Sequence, residues 1–512
     1  MVPLSIVIWL PAAAGLLASL APAPATGRRW GAQGIIALAG ALAALGLAIS
    51  LIVAFKVGGG SQDVTNVVWI ESLGIHYKLA VTGLNLFLVA MTTLLFAAAT
   101  LACNLRTWER PRLFYFMFML AESAVLGAFL AQDLALFVVF FDLMLVPFYF
   151  LIGGWGREPG RVRATTKLVI YTLVGSLLML VAAIATGVMV AERHGGHLNF
   201  TYTALSHTPL AGGTQQWLFL LFAAAFLVKM PAFPLHGWMP DGYRAMPIEV
   251  LMVFSGVLSK VGAYGFLAIV LQLYPSASAH FQVLMLLIAL ASIVYGSMQA
   301  FTQTDVRLIA GFSSVAQLGF ITLGIFALNR QGAQGALLQM VNHGLVVAPL
   351  LFIAALLAER AGGSEDIRRM GGIAFRAPVL ASIFLIVALA TLAMPGSANF
   401  IGEFMIVFGV FKAKIAIAVI AMSGVVLAAV YALRLFIGAM HNRVGTDVEP
   451  REMRFTDGLV LVPVIAVILL LALDPQLALL RSEGPVTNAV SAAHAASDPG
   501  YVAAAWTGSS GR

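Results

Sequence analysis

The sequence predicts an all-α integral membrane protein of about 14 transmembrane helices, two of them broken. Three observations carry this. Of 512 residues, 61% are hydrophobic and only 10% are charged, whereas a soluble domain keeps roughly a quarter of its residues charged. So few charges cannot cover a chain of this length against water, and the bilayer must be the solvent for most of it. The apolar residues fall into runs of about 20, the length a helix needs to cross, and the 49 glycines suit helices that pack closely in lipid.

The runs lie near 3–22, 33–55, 80–103, 113–131, 133–152, 166–191, 215–233, 248–272, 281–301, 306–327, 333–357, 377–410, 414–440 and 456–474. The run from Val2 to Leu20 has no basic segment before it, so it reads as a first span rather than a cleavable signal peptide. The stretch after Pro475 is rich in Ala, Ser and Gly and reads as an irregular end.

Charge sets the orientation. The odd-numbered connections hold Arg28 and Arg29; Arg106, Arg110 and Arg112; Arg157, Arg161 and Arg163; Arg368, Arg369 and Arg376; and Arg443, Arg451 and Arg454. The even-numbered ones hold only Lys56, Lys78, Arg193, Arg330, Lys412 and Lys414. The positive-inside rule puts the odd connections in the cytoplasm and both termini outside. The net charge of +7 is thus a topology signal and not a sign of nucleic-acid binding.

Two runs are interrupted by proline. One carries Lys229-Met230-Pro231-Ala232-Phe233-Pro234 and the other Met394-Pro395-Gly396-Ser397-Ala398-Asn399. Each proline frees the carbonyl four residues back, here those of Leu227, Met230 and Thr391. Free carbonyls at membrane depth persist only inside protein or beside a wet cavity. Breaks spaced about five spans apart suggest two related halves with sites at the broken helices.

The chemistry rests on ionisable residues inside the apolar runs. Each costs at least about 2.5 kcal/mol at a helix centre and so needs a partner or a cavity. They are Asp142, Lys229 at the first break, Lys260, His343 and, after the second break, Glu403. Low dielectric disfavours a lysine's charged form and a nearby carboxylate restores it. A lysine held between the two is loaded or unloaded by moving one neighbouring charge, which is what a proton route requires.

For Lys229, Lys260 and Glu403 this reading outweighs a purely structural ion pair. For Asp142, a structural pair with Lys229 is a rival that needs the same contact. His343 fits a relay and a packing residue equally. Glu122 fits a second carboxylate of the route or a helix-packing acid, and Arg434 and Lys167 fit snorkelling near the cytoplasmic ends. The single cysteine, Cys103, is unpaired, and G-x-G-x-x-G and phosphate-loop patterns are missing. No metal site and no electron-carrying cofactor are therefore expected in this chain.

Several segments resemble the antiporter-like subunits of respiratory complex I. They are Lys229 through Asp241 with His236 in its middle, Ser259-Lys260-Val261-Gly262-Ala263-Tyr264-Gly265, Tyr295 through Ala300, Gln303 through Arg307, Phe312-Ser313-Ser314, Asn342-His343-Gly344, and Met394-Pro395-Gly396 with Phe400 through Glu403. Within that family the glutamate at 403 and Leu145-Val146-Pro147-Phe148-Tyr149 resemble the M-type subunit.

The resemblance implies two inverted five-helix repeats. The chain then divides into helices one to three (1–112), a first antiporter-like repeat (113–272), a second (281–440), and a last helix with its tail (441–512). It implies Asp142 and Lys229 as an input pair, Lys260 as a central relay and Glu403 as the exit. It implies a proton-translocating subunit of NADH:quinone oxidoreductase in a bacterial inner membrane. The chain would have neighbouring antiporter-like subunits as partners, with NADH, FMN, iron–sulfur clusters and quinone held by other subunits. A subunit of a multi-protein cation/proton antiporter, or of a related membrane-bound hydrogenase, is the alternative.

Three departures from the family pattern stand out. Asp142 takes the place of a glutamate, Gln317 that of a histidine, and Ala268 lies where an arginine is frequent. Gln317 cannot titrate, so a proton passing it needs water.

Overall fold

The computed structural model describes residues 3–22, 29–193, 195–445, 447–449 and 451–497. Lipid offers the backbone no hydrogen bonds, so a helix, which satisfies its own, is the natural state of each apolar run. The chain opens with α1 (Leu4–Leu20) and α2 (Ala32–Ala54). An antiparallel hairpin follows, β1 (Gln62–Ile70) and β2 (Ile75–Val81). Next come α3 (Leu86–Asn104), α4 (Pro111–Leu130), α5 (Leu134–Trp155) and α6 (Arg161–Arg193).

Helix α7 (Gly212–Lys229) stops at the first proline cluster, and a short α8 (Met239–Ala245) leads into α9 (Ile248–Leu273). Then α10 (Gln282–Thr302), α11 (Val306–Ile325) and α12 (Arg330–Arg360) run back and forth. The second proline break separates α13 (Pro378–Thr391) from α14 (Ala398–Ala413). Helices α15 (Ile415–Met440), α16 (Phe455–Leu473) and α17 (Gln476–Ser497) complete the described chain.

Eleven described helices are long and apolar enough to cross a membrane. Helices α1 and α13 are apolar but shorter, so the sequence expectation of fourteen requires counting short and broken helices as spans. Helices α9, α11 and α12 are wholly buried, whereas α2 and α15 keep most of their surface exposed. The middle of the bundle is thus made of the helices that carry Lys260, Gln317 and His343.

Ion pairs sort the connections into two faces. Arg106 pairs with Glu249, Arg157 and Arg307 with Glu365, Arg244 with Asp305, and Arg451 and Arg454 with Glu359. Lys167 and Arg163 both meet Asp241. Every one of these links one odd-numbered connection to another, so those connections share a face. Lys167 is therefore paired, and Arg434 donates to the carbonyls of Phe301 and Gln303. Neither simply snorkels. On the same face, hydrogen bonds from Arg368 hold the Asp366 carboxyl below its ordinary range.

Two elements correct the sequence reading. The third apolar run was expected to start at 80, but β2 continues to Val81 and α3 starts at Leu86. Residues 62–81 are rich in β-branched and aromatic side chains, and 73–79 alternate, which suits a strand rather than a helix. Backbone bonds from Gln132 to Lys78 in β2 and from Phe200 to Gly74 in the turn tie the hairpin to the following chain.

The tail is also not irregular. Its residues 476–497 form α17, which buries Ala478, Ser482, Val486, Ala489, Val490 and Ala493. That is helical spacing, hidden in the sequence because most of those residues are small. Arg28 and residues 498–512 lie outside the described residues.

Candidate functional site

Both broken helices end in the same way. At the end of α7, the Ala232 N–H reaches back five residues to the Leu227 carbonyl at 3.0 Å. At the end of α13, Met394 N–H does the same to Leu389 at 3.0 Å. This closure takes up carbonyls that a helix end leaves free. At the first break, Leu227's carbonyl is therefore occupied, and the Trp238 indole donates to that of Val228 at 3.0 Å. Pro231 and Pro234 flank Phe233, whose N–H donates to Ser292 Oγ at 3.0 Å. Pro395 is followed by Gly396 at φ +96°, a conformation only glycine adopts without strain.

Lys229 is the last residue of α7 and is buried. Its ammonium donates to the Phe141 carbonyl at 3.2 Å and lies 4.1 Å from the centre of the Phe141 ring. Asp142, the next residue, interacts with Lys229 electrostatically and with the Ser176 side chain, but makes no salt bridge with the lysine. The direct contact expected between Asp142 and Lys229 is therefore absent. Asp142's short side chain leaves the ammonium to the backbone of its neighbour.

Lys260 lies mid-bundle in α9, fully buried, on a regular helical turn between two π-helical stretches, Phe254–Leu258 and Phe266–Val270. Its ammonium donates to the Ser255 carbonyl at 2.7 Å and to Ser259 Oγ at 3.2 Å. A π turn shifts carbonyls out of their usual pairing and is common at functional positions. Here the first one presents Ser255 to the lysine. The Ser255 hydroxyl accepts from Tyr243 at 2.7 Å, and Arg307 holds the carbonyls of Tyr243 and Met246 at 3.3 and 2.6 Å.

His343 sits in α12, buried, with neither ring nitrogen hydrogen-bonded and within electrostatic reach of Lys260. One turn earlier on the same helix is Gln339, which the sequence reading missed. Its Nε2 donates to Gln317 Oε1 at 2.8 Å and lies 3.4 Å from Glu403 Oε1. Gln317 Nε2 donates to the same Glu403 oxygen at 2.7 Å. The residue read as a gap in the titratable series thus touches the last member of that series. An amide within Leu337-Leu338-Gln339-Met340 is as costly in lipid as it is conspicuous in the sequence, and that was the available signal.

Two expected residues stand apart. Glu122 is fully buried, and neither carboxyl oxygen has a hydrogen-bond partner among the described residues. His236 packs in the first break against Tyr295 and Phe233, at ring-centre distances of 4.8 and 5.8 Å. Among the described residues no group of three metal-ligating side chains comes together.

Comparisons with known proteins agree with this architecture. The family described as NADH:quinone oxidoreductase/Mrp antiporter, transmembrane, matches residues 131–429. NADH-quinone oxidoreductase subunit M of Escherichia coli K12 is 37% identical over 428 residues, covering 82% of this chain and 84% of that protein. The Rhodobacter capsulatus protein of the same name is 34% identical, covering 93% of each.

A chain of respiratory complex I from Thermus thermophilus superposes with a TM-score of 0.85 at 28% identity, covering 96% of this chain and 99% of that one. A chain of the Mrp complex from Dietzia superposes with a TM-score of 0.80 at 21% identity, covering 98% of both, and shows the shared fold. With broken helices, buried lysines and a terminal glutamate arranged in this way, the chain belongs to the NADH:quinone oxidoreductase/Mrp antiporter transmembrane family, with the proteins called subunit M among its relatives.

Proposed function

We propose that the chain translocates protons as the M-type membrane subunit of NADH:quinone oxidoreductase, coupled to electron transfer carried out by other subunits. The observation that carries this is the set of ionisable side chains inside the bundle: half-buried Asp142 and buried Lys229, Lys260, His343 and Glu403. Several of them have polar atoms left free for a proton or water. Lys229 is loaded and unloaded under the influence of Asp142, Lys260 relays, and Glu403 is the exit. NADH, FMN, iron–sulfur clusters and quinone belong to partner subunits, and neighbouring antiporter-like subunits flank this one.

The matching closures of α7 and α13 support two inverted five-helix repeats, spans four to eight and nine to thirteen, in a fourteen-span topology. The face joined by odd connections is the cytoplasmic one, with both termini outside. The relatives called NADH-quinone oxidoreductase subunit M, up to 37% identical over most of the chain, favour this reading over an antiporter subunit.

The test is purification from native membranes followed by proton uptake in sealed vesicles. Flavin- and iron–sulfur-bearing subunits should accompany the chain, and Lys229→Ala should strongly lower pumping and quinone reduction together. Glu403→Gln should impair pumping with assembly intact. Co-purification with small membrane subunits alone would overturn the reading in favour of an antiporter.

A further inference from the structure

The two oxygens of Glu403 are treated very differently by their surroundings. Oε1 faces two amide N–H donors, Gln317 at 2.7 Å and Gln339 at 3.4 Å. Oε2 is buried and has no hydrogen-bond partner among the described residues. An amide N–H donates and cannot accept, so an oxygen facing two of them stays an acceptor whether or not the carboxyl is protonated. The proton therefore has one place to go.

What lies beside Glu403 is equally specific. The Tyr431 hydroxyl, from α15, is buried and interacts electrostatically with Glu403. It faces the side chains of Ser313 and Gln317, with no partner at hydrogen-bond distance. Ser313, Tyr431 and Thr391 are three polar residues in the lining of a cavity of about 10 Å³ that is otherwise apolar, and Glu403 is not part of that lining.

We propose that Gln317 and Gln339 hold the exchangeable proton of Glu403 on Oε2. In loading, a hydronium gives one proton to Oε2 and remains as water; unloading is the reverse. Gln317 and Gln339 are positioning residues in this step and change charge in neither direction. The inference rests on the reading that Glu403 exchanges protons.

Infrared difference spectroscopy of the purified complex, taken through a pH jump, tests it. A protonated-carboxyl band that vanishes in Glu403→Gln identifies the residue. Two donors on its carbonyl oxygen should place that band at low frequency, and Gln339→Leu should raise it. Gln317→Met removes the other donor and should do the same if the first variant does not assemble. Tyr431→Phe removes a hydroxyl that makes no hydrogen bond to Glu403 among the described residues and should leave the frequency alone.

A band unmoved by loss of either amide, or moved as far by Tyr431→Phe, overturns the proposal. So does the absence of any Glu403 band. The broader reading fails separately, through normal pumping by Glu403→Gln, even where the band behaves as described.

Discussion

The Lys229 ammonium donates to the carbonyl of Phe141, one residue short of Asp142, the acid with which it interacts. A backbone carbonyl is a fixed dipole and cannot be protonated, so it holds the lysine without competing for the proton. The acid then acts across a gap. Asp142→Glu adds one methylene and brings the carboxylate closer to the ammonium. Pumping by that variant should stay within about twofold of the parent, whereas Asp142→Asn should lose most of it, since removing a nearby charge is worth a kilocalorie or more. Proton uptake in vesicles containing the assembled complex checks both, and near-parental pumping by Asp142→Asn would remove the acid from the route.

Gly402 lies one residue before Glu403 and directly against Gln339. A Cβ there would lie 2.4 Å from Gln339 Oε1 and 3.1 Å from its Cβ. Alanine is otherwise favoured over glycine inside a helix by about 0.5–1 kcal/mol. Gly402→Ala should therefore assemble normally yet displace Gln339 and lower pumping per complex. Pumping normalised to complex content reads this directly, and an unchanged value would show that Gln339 can retreat at no cost.

Arg307 is fully buried, pairs with Glu365 at 2.8 Å and caps the carbonyls at the end of α8. Removing one partner of a buried pair costs about 3–5 kcal/mol. Arg307→Leu should lower the thermal midpoint of the purified protein by several degrees. Arg161→Gln breaks a solvent-exposed pair with Glu158 and should leave the midpoint unchanged, because such pairs are worth about 0–1 kcal/mol.

Helix α17 makes a similar contrast. Val486 is fully buried beneath it, while Glu483 meets Arg330 at 2.6 Å in an exposed pair. Val486→Asp should release the helix and open it to limited proteolysis, since an unpaired charge cannot remain in that contact. Glu483→Gln should leave the digestion pattern as it was.

The helical membrane class, the two breaks and the buried ionisable residues were legible in the sequence because lipid makes polar residues and prolines rare and therefore informative. The hairpin was less visible, because its alternation over 73–79 runs into an apolar stretch and the boundary blurs. Helix α17 was hidden by a buried stripe made mostly of Ala, Ser and Val. The π turns beside Lys260 leave no mark in composition. The amide contacts of Glu403 join α11, α12 and α14, and no pattern along one helix reports such a contact across three.

The neighbours of Glu403 have one more consequence. They are amides and hydroxyls, and none of them changes charge near neutrality. Asp142 instead shares its surroundings with a lysine. Two interacting ionisable groups release protons in steps that belong to the pair, whereas an isolated one follows a single binding isotherm. Glu403 is thus held by groups that keep their charge, whereas Lys229 and Asp142 act on each other.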